Sequence, residues 1–230
     1  MVLWQSALSV SLFLGTPIPW AVCYSDAVPA DELERYSLLV LHGRYHPPLP
    51  ALSSAGKRLF GYVSLGEVEK TQPHFTAVRK QGLLRGENAN WPGSYFVDLR
   101  DPRWHECVLR QLIPEIRAQG FHGVFLDTID TAEHLETLDP GAHRGMMAAA
   151  LDLVRAIRHG YPDMPLILNR GFFLLEEAAP LVDYVLAESI YSDYDSARKA
   201  YRRVPAAEYS ETVRKLAAAR TRNPGLTVLS

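Results

Sequence analysis

The sequence predicts an α/β fold, a (β/α)8 TIM-like barrel that stops at or just after its eighth strand. Eight short apolar runs alternate with longer amphipathic stretches along the 230 residues, which is typical of parallel β/α folds. Most runs are continuously apolar, as strands buried on both faces are. No glycine-rich phosphate-binding motif follows a run, so the eight repeats favour a closed barrel over an open nucleotide-binding sheet.

The predicted strands have spacings that leave room for a helix between most of them. They are residues 20–24, 37–41, 59–64, 95–99, 124–127, 165–169, 183–188 and 226–230. A long helix is predicted from Asp101, as N-cap, to Gly120, with Pro102 in the first turn and a kink or break at Pro114. Further helices are predicted at 145–158 and 208–220, and none follows the eighth strand.

The first 19 residues are a candidate signal or leader segment, and residues 20–230 are assigned to the barrel domain. Residues 8–14 are apolar and residues 1–14 carry no charge, although a basic start and a cleavage site are not clear. The run is too short to span a bilayer. We therefore expect a secreted or periplasmic protein without a membrane span.

The composition is that of an ordinary globular protein, with 47% hydrophobic and 22% charged residues and a formal net charge of -2. Nucleic acid is not an expected partner, because phosphate binding needs clustered Lys and Arg. Cys23 and Cys107 cannot form a disulfide framework and are expected to be small buried residues. The oligomeric state stays open.

Acidic and amide side chains stand at or near the ends of several predicted strands. In parallel β/α folds function lies at the carboxyl ends of the strands. Each acid alone could simply cap the next helix, Asp130 above all. Together they predict a polar ring at the mouth of the barrel: Asp26, Glu67, Asp98, Asp127, Asp130, Asn169 and Glu188.

Two carboxylates facing one cleft are the equipment for glycoside hydrolysis, one as acid and the other as nucleophile or base. Aromatic rings near strand ends suit a sugar ligand, whose apolar face packs on such rings. The aromatic residues predicted near the mouth are Tyr24, Tyr62, Trp91, Tyr191 and Tyr194. Core packing of Tyr62 and loop closure by Trp91 are the structural alternatives.

Other chemistries find less support. No HxH or HExxH metal motif and no G-x-S-x-G elbow occurs, and neither cysteine ends a strand. No metal or other cofactor is expected. A carboxylate-rich metal site assembled from His42, Glu67, Asp127 and Glu188 remains an alternative.

Several motifs recur in a fixed order, and by them the chain resembles glycoside hydrolase family 114, the endo-α-1,4-polygalactosaminidases. They are GYVSLGE at 61–67, VDL at 97–99 with Trp104, GFHGVFLDTID at 120–130, NRGF at 169–172 and AES at 187–189. The resemblance runs from about Trp20 to the last residue.

The resemblance implies a TIM-like barrel that cleaves α-1,4-linked galactosamine or N-acetylgalactosamine polysaccharide. The catalytic pair would be Asp127 and Glu188. Substrate contacts would come from the other strand ends, which points to Tyr24, Asp26, Glu67, Asp98, Asp130, Asn169 and Tyr191. The alternatives are a carbohydrate-binding barrel without catalysis and a metal-dependent polysaccharide hydrolase or deacetylase.

Overall fold

The computed structural model describes residues 18–195 and 198–230. The leader segment predicted at 1–19 therefore lies outside the described residues, apart from its last two. The described strands are β1 (Trp20–Cys23), β2 (Leu38–Leu41), β3 (Arg58–Ser64), β4 (Glu67–Glu69), β5 (Leu84–Glu87), β6 (Ser94–Val97), β7 (Gly123–Asp127), β8 (Leu166–Asn169), β9 (Tyr184–Leu186), β10 (Ser192–Asp195), β11 (Ala200–Arg203) and β12 (Thr227–Leu229).

The main sheet has seven parallel strands in the order β1-β2-β3-β7-β8-β9-β12. It curls into a half-barrel with helices between the strands, so the predicted truncated TIM-like barrel is confirmed. Within the described residues, β1 and β12 each pair with one neighbour. Seven of the eight predicted strands belong to this sheet.

The apolar runs are continuous because both faces of the sheet are buried. Val40, Phe60 and Phe125 point into the half-barrel and pack in one interior cluster. Their neighbours Leu39 and Leu126 belong to the layer between the sheet and the helices. All four residues of β2 are buried, which is what a parallel strand covered on both sides requires.

The prediction that residues 95–99 form the fourth barrel strand is wrong. This segment forms β6, which lies antiparallel between β4 and β5 in a separate three-stranded sheet. In the main sheet β3 pairs directly with β7, with Ser64 opposite Asp127. A loop over residues 88–93, which contains Pro92 and Gly93 (φ +94°), joins β5 to β6. A connection this short between neighbouring strands requires antiparallel pairing, because a parallel pair needs a crossover of a dozen or more residues.

The helices are α1 (Leu49–Ser54), α2 (Phe75–Lys80), α3 (Pro102–Cys107), α4 (Ile113–Ala118), α5 (Thr131–Leu138), α6 (Pro140–His143), α7 (Met146–Gly160), α8 (Leu175–Ala178) and α9 (Ala206–Arg222). The helices predicted at 145–158 and 208–220 are confirmed as α7 and α9. No helix of the described residues is long and apolar enough to cross a membrane.

The helical stretch that begins at Asp101 has the predicted cap and break. The Asp101 side chain accepts a hydrogen bond from the Arg103 backbone N–H at 2.9 Å, and Gly120 follows the helix end at φ +99°. A π-helical segment, Val108–Leu112, separates α3 from α4. It lies just before Pro114, which lacks the N–H that a regular helix needs there.

Candidate active site

Three consecutive strands of the main sheet end in polar side chains. Asp127 is the last residue of β7, Asn169 is the last of β8, and Glu188 lies two residues after β9. Each is followed by a non-glycine residue in the left-handed region: Thr128 at φ 59°, Arg170 at φ 55° and Ser189 at φ 58°. Such conformations carry strain and cluster at functional sites, so this repeated turn marks the rim of β7, β8 and β9.

The Asn169 side-chain amide bridges Asp127 and Glu188. Asn169 Nδ2 donates to Asp127 Oδ1 at 2.8 Å and to Glu188 Oε2 at 2.9 Å. These two oxygens are therefore no farther apart than the sum of the two distances, about 5.7 Å. Carboxyl groups of retaining glycosidases lie about 5–5.5 Å apart and those of inverting enzymes about 6.5–9.5 Å, so the arrangement suits a retaining pair.

The orientation of the bridging amide follows from its two carboxylate partners. Because ionised carboxylate oxygens only accept hydrogen bonds, the amide must present its NH₂ group to them. Asn169 is only 6% exposed, and its Oδ1 atom is buried without a hydrogen-bond partner among the described residues. The two carboxylates therefore set the orientation of this amide, and no protein donor of the described residues does.

Two tyrosines stand beside the carboxylates. The rings of Tyr24 and Tyr62 meet edge to face with centroids 5.1 Å apart. Burial, followed by the charge of Asp127, raises the pKa of both phenols well above the ordinary range, and Glu188 adds to the effect on Tyr24. Both hydroxyls therefore stay protonated and can act as hydrogen-bond donors beside Asp127.

Asp130 is a third acid on this rim. It precedes α5, but its side chain makes no capping hydrogen bond and instead lies 3.4 Å from Arg170 Nε. Burial raises the pKa of Asp130, and the nearby Asp127 and Glu188 charges add to this against the opposing effect of Arg170. Asp130 and Arg170 both line the cleft described below.

The turn that follows β3 is fastened to the turn that follows Asp127. The Thr128 hydroxyl meets the Ser64 hydroxyl at 2.8 Å and accepts from the Gly66 N–H at 2.9 Å. The Trp104 indole N–H donates to the Leu65 carbonyl at 2.8 Å. A Cβ on Gly66 would come within 2.0 Å of the Thr131 hydroxyl, so only glycine fits at this position of the 61–67 motif.

The rim opens into a large cleft of about 2170 Å³, well above the ~300–1,000 Å³ typical of small-molecule sites. Its lining includes Tyr24, Tyr62, Glu67, Trp91, Asp127, Asp130, Asn169 and Glu188. Seven carboxylate side chains and two arginines, Arg44 and Arg170, line it in the described part of the chain. The cleft is therefore strongly acidic.

Three predicted contact residues are not brought into this cleft. Asp98 is buried between Arg85 and Arg100, at 2.7 and 2.8 Å, because it follows the side-sheet strand β6 and not a barrel strand. Asp26 is exposed in the loop after β1. Tyr191 lies 60% exposed against Tyr209, with Arg203 over its ring. Substrate contact by Asp26 and Tyr191 stays a prediction, whereas Asp98 is held by its two arginines away from the described lining of the cleft.

Sequence reasoning missed two contributors to the site, Thr128 and Arg170. Both follow predicted strand-end residues directly, so their place in the DTID and NRG motifs was the available signal. Their positive φ angles and partners could not be derived from residue type. Among residues 18–195 and 198–230, no group of three or more His, Cys, Asp or Glu side chains is arranged to hold a metal ion.

A parallel half-barrel with a close carboxylate pair at its strand ends places the chain in the TIM-barrel class. The chain belongs to glycoside hydrolase family 114, whose family model matches residues 20–227. The family assignment made from the motifs is thereby confirmed.

Solved structures with this fold agree. The glycoside hydrolase domain of PelA from Pseudomonas aeruginosa is 29% identical with a TM-score of 0.75, over 92% of this chain and 82% of that one. Ega3 of Aspergillus fumigatus, solved in complex with galactosamine, is 17% identical with a TM-score of 0.62, over 76% of this chain and 67% of that one. At that identity the likeness to Ega3 shows the fold alone.

An uncharacterized protein of Deinococcus radiodurans is 30% identical over 128 residues, which are 54% of this chain and 41% of that protein. The match thus spans less than half of that relative's length.

Proposed function

We propose that this chain is a glycosidase that hydrolyses α-1,4-linked galactosamine or N-acetylgalactosamine polysaccharide, with Asp127 and Glu188 as its carboxylate pair. The observation that carries the proposal is that both carboxylates bind the same Asn169 amide at the rim of an open cleft. Family membership supports the reaction class. The galactosamine in the Ega3 structure supports the sugar.

The separation of the pair favours a retaining mechanism. Glu188, as the acid, donates its proton to the glycosidic oxygen while the Asp127 carboxylate attacks C1, so that the C1–O bond breaks and a glycosyl ester forms. A water molecule then attacks C1, gives its proton to Glu188 and releases Asp127. We assign the role of nucleophile to Asp127, which accepts from Asn169 and lies near the protonated Tyr62 hydroxyl.

The charge of the cleft suits a cationic substrate. Seven carboxylates against two arginines create a negative potential that attracts ammonium groups, and galactosamine units without an acetyl group carry them. Tyr24 and Tyr62 offer aromatic surface for the sugar rings. Because such a polymer lies outside the cell, we also propose that the protein acts as a secreted or periplasmic enzyme.

The test is release of reducing ends from purified galactosaminoglycan. Asp127→Asn and Glu188→Gln should abolish release while circular dichroism and the thermal midpoint stay unchanged. Full activity in either variant would refute the pair. Binding of the polymer without release by the parent protein would favour a carbohydrate-binding barrel, and loss of activity with a chelator would favour a metal-dependent hydrolase or deacetylase.

A further inference from the structure

Trp91 is exposed in a way that packing does not explain. Its side chain is 70% exposed, although tryptophan is among the residues most buried on average. It lies in the loop between β5 and β6 and lines the same cleft as Asp127 and Glu188. The exposed indole forms part of the cleft wall, where a bound ligand can contact it.

The loop that carries Trp91 is held in a defined shape. The Trp91 N–H donates to the Asn88 carbonyl at 3.1 Å, and the Trp91 carbonyl accepts from the Ser94 N–H at 3.0 Å. The Asn90 N–H donates to Asn88 Oδ1 at 2.9 Å. Both backbone polar groups of Trp91 are therefore paired while its ring stays open to solvent.

Glu67 fastens this loop to the barrel. Asn88 Nδ2 donates to Glu67 Oε1 at 2.9 Å, and Ser94 Oγ donates to Glu67 Oε2 at 2.6 Å. Glu67 is only 7% exposed. Since each of its oxygens already accepts a bond from a residue that flanks the loop, its carboxylate acts as an internal anchor before any substrate binds.

The anchored loop lies on one side of the proposed catalytic pair. Glu67 follows Ser64 by three residues, and Ser64 pairs in register with Asp127. Glu188 follows β9, on the far side of β8. Neighbouring strands lie about 4.8 Å apart, so a sugar chain that crosses the rim from Glu188 past Asp127 leads toward the Trp91 wall.

We propose that Trp91 is a distal sugar-binding subsite, which stacks on the apolar face of a pyranose ring of the polysaccharide away from the bond that is cleaved. Glu67 is a positioning residue that holds this platform. The identity of the polysaccharide rests on the proposed function. A loop whose backbone is already held in place lowers the ordering cost of binding, and the subsite would make long chains bind better than short ones.

Binding measured without turnover tests the subsite. In the Glu188→Gln protein, calorimetry gives the Kd of α-1,4-linked galactosamine disaccharide and of long oligosaccharides. Adding Trp91→Ala should raise the Kd of the long chains about tenfold, which is about 1.4 kcal/mol, and leave that of the disaccharide unchanged. Trp91→Phe should restore most of the affinity.

Tyr201→Ala is the matched control, because Tyr201 is 79% exposed and lies on β11, outside the described lining of the cleft. It should change neither Kd. Unchanged affinity of Trp91→Ala for long chains would overturn the proposal, and so would an equal loss at every chain length.

Glu67→Ala tests the anchor in the same assay. The change removes both acceptors of the Asn88 and Ser94 bonds, so the loop loosens and the Kd for long chains should rise part of the way toward that of Trp91→Ala. Affinity equal to that of the parent would refute the positioning role.

The two proposals fail separately. If the wild-type protein released no reducing ends, but Trp91→Ala still weakened the binding of long chains, the glycosidase proposal would be refuted and the subsite would stand. If the wild-type protein cleaved the polymer, but Trp91→Ala bound long chains as tightly as the wild type, the subsite would be refuted and the glycosidase proposal would stand.

Discussion

Asp98 and Asp127 are both acids at the end of an apolar strand, yet their surroundings differ completely. Asp98 accepts from Arg85 Nη2 at 2.7 Å and from Arg100 Nε at 2.8 Å, and it does not line the described cleft. Asp127 accepts from the neutral amide of Asn169 and faces the cleft. Two guanidinium groups offset the charge of Asp98, whereas Asp127 has an uncharged amide partner and faces the open cleft.

The electrostatics follow the same division. Burial by itself would raise the pKa of Asp98, but hydrogen bonds from Arg100 and Arg85 outweigh it and hold that pKa well below its usual range. On the rim, burial and the charges of Asp127 and Glu188 raise the pKa of Tyr24. Uncompensated charge is typical of reactive sites, and a paired buried acid is typical of structural ones.

Substitution of Asp127, the proposed nucleophile, should have the largest effect on activity. Asp127→Asn should lower kcat for galactosaminoglycan by at least ~10³-fold, since it removes the proposed nucleophile. The free energy of unfolding should change little, because the new amide is close in shape. Reducing-end assays and urea denaturation measure the two quantities, and a Glu188→Gln protein should behave alike.

Removal of the Asn169 amide, which bridges Asp127 and Glu188, should have the next largest effect on activity. Asn169→Ala should lower kcat by about 10²-fold, the order of magnitude for the loss of one oriented donor, and it should alter the pH dependence of kcat because the two carboxylates lose their shared donor. A pH profile identical to that of the wild type would contradict the positioning role.

Substitution of Asp98 should have the opposite effect, because it should lower stability and leave activity nearly unchanged. Asp98→Asn should lower the free energy of unfolding by about 2–3 kcal/mol, less than for a fully buried pair because both arginines are 33% exposed. The thermal midpoint should fall by roughly 5–10 °C while kcat stays within about twofold of the wild type. A loss of kcat comparable to that of Asp127→Asn would erase the distinction between the two acids.

The smallest effect is the pH dependence of this pairing. A carboxyl whose pKa is lower in the folded state adds stability above its unfolded pKa of about 3.9 and loses it as the pH falls through the folded value. Wild-type stability should therefore fall more steeply than that of Asp98→Asn below about pH 4. Urea denaturation at several acidic pH values measures the two slopes, and parallel curves would contradict the pairing.

The sequence predicted most of the barrel because its strands are buried on both faces and therefore appear as unbroken apolar runs. It failed at residues 95–99, where an equally apolar run belongs to a hairpin sheet. The turn around Pro92 and Gly93 decided the strand direction, and the length of the run could not reveal this.

Strand ends and family motifs both pointed to Asp127, Asn169 and Glu188, and the structure brings these three side chains together. The partners of each acid were not predictable. Arg85 and Arg100 lie 13 and 2 residues from Asp98, and no spacing rule says that both guanidinium groups turn toward it. The strained φ angles of Thr128, Arg170 and Ser189 likewise depend on tertiary contacts, and residue type does not favour them.

The anomeric configuration of the first product is the sharpest test of whether Asp127 and Glu188 act as a close, retaining pair. Proton NMR during the first turnovers of a short α-1,4-linked galactosamine oligosaccharide would follow it. Because Asp127 and Glu188 share one amide, we predict a retaining double displacement, in which the α-anomer appears first. Initial formation of the β-anomer would require room for a water molecule between the carboxyl groups and would contradict the close pair.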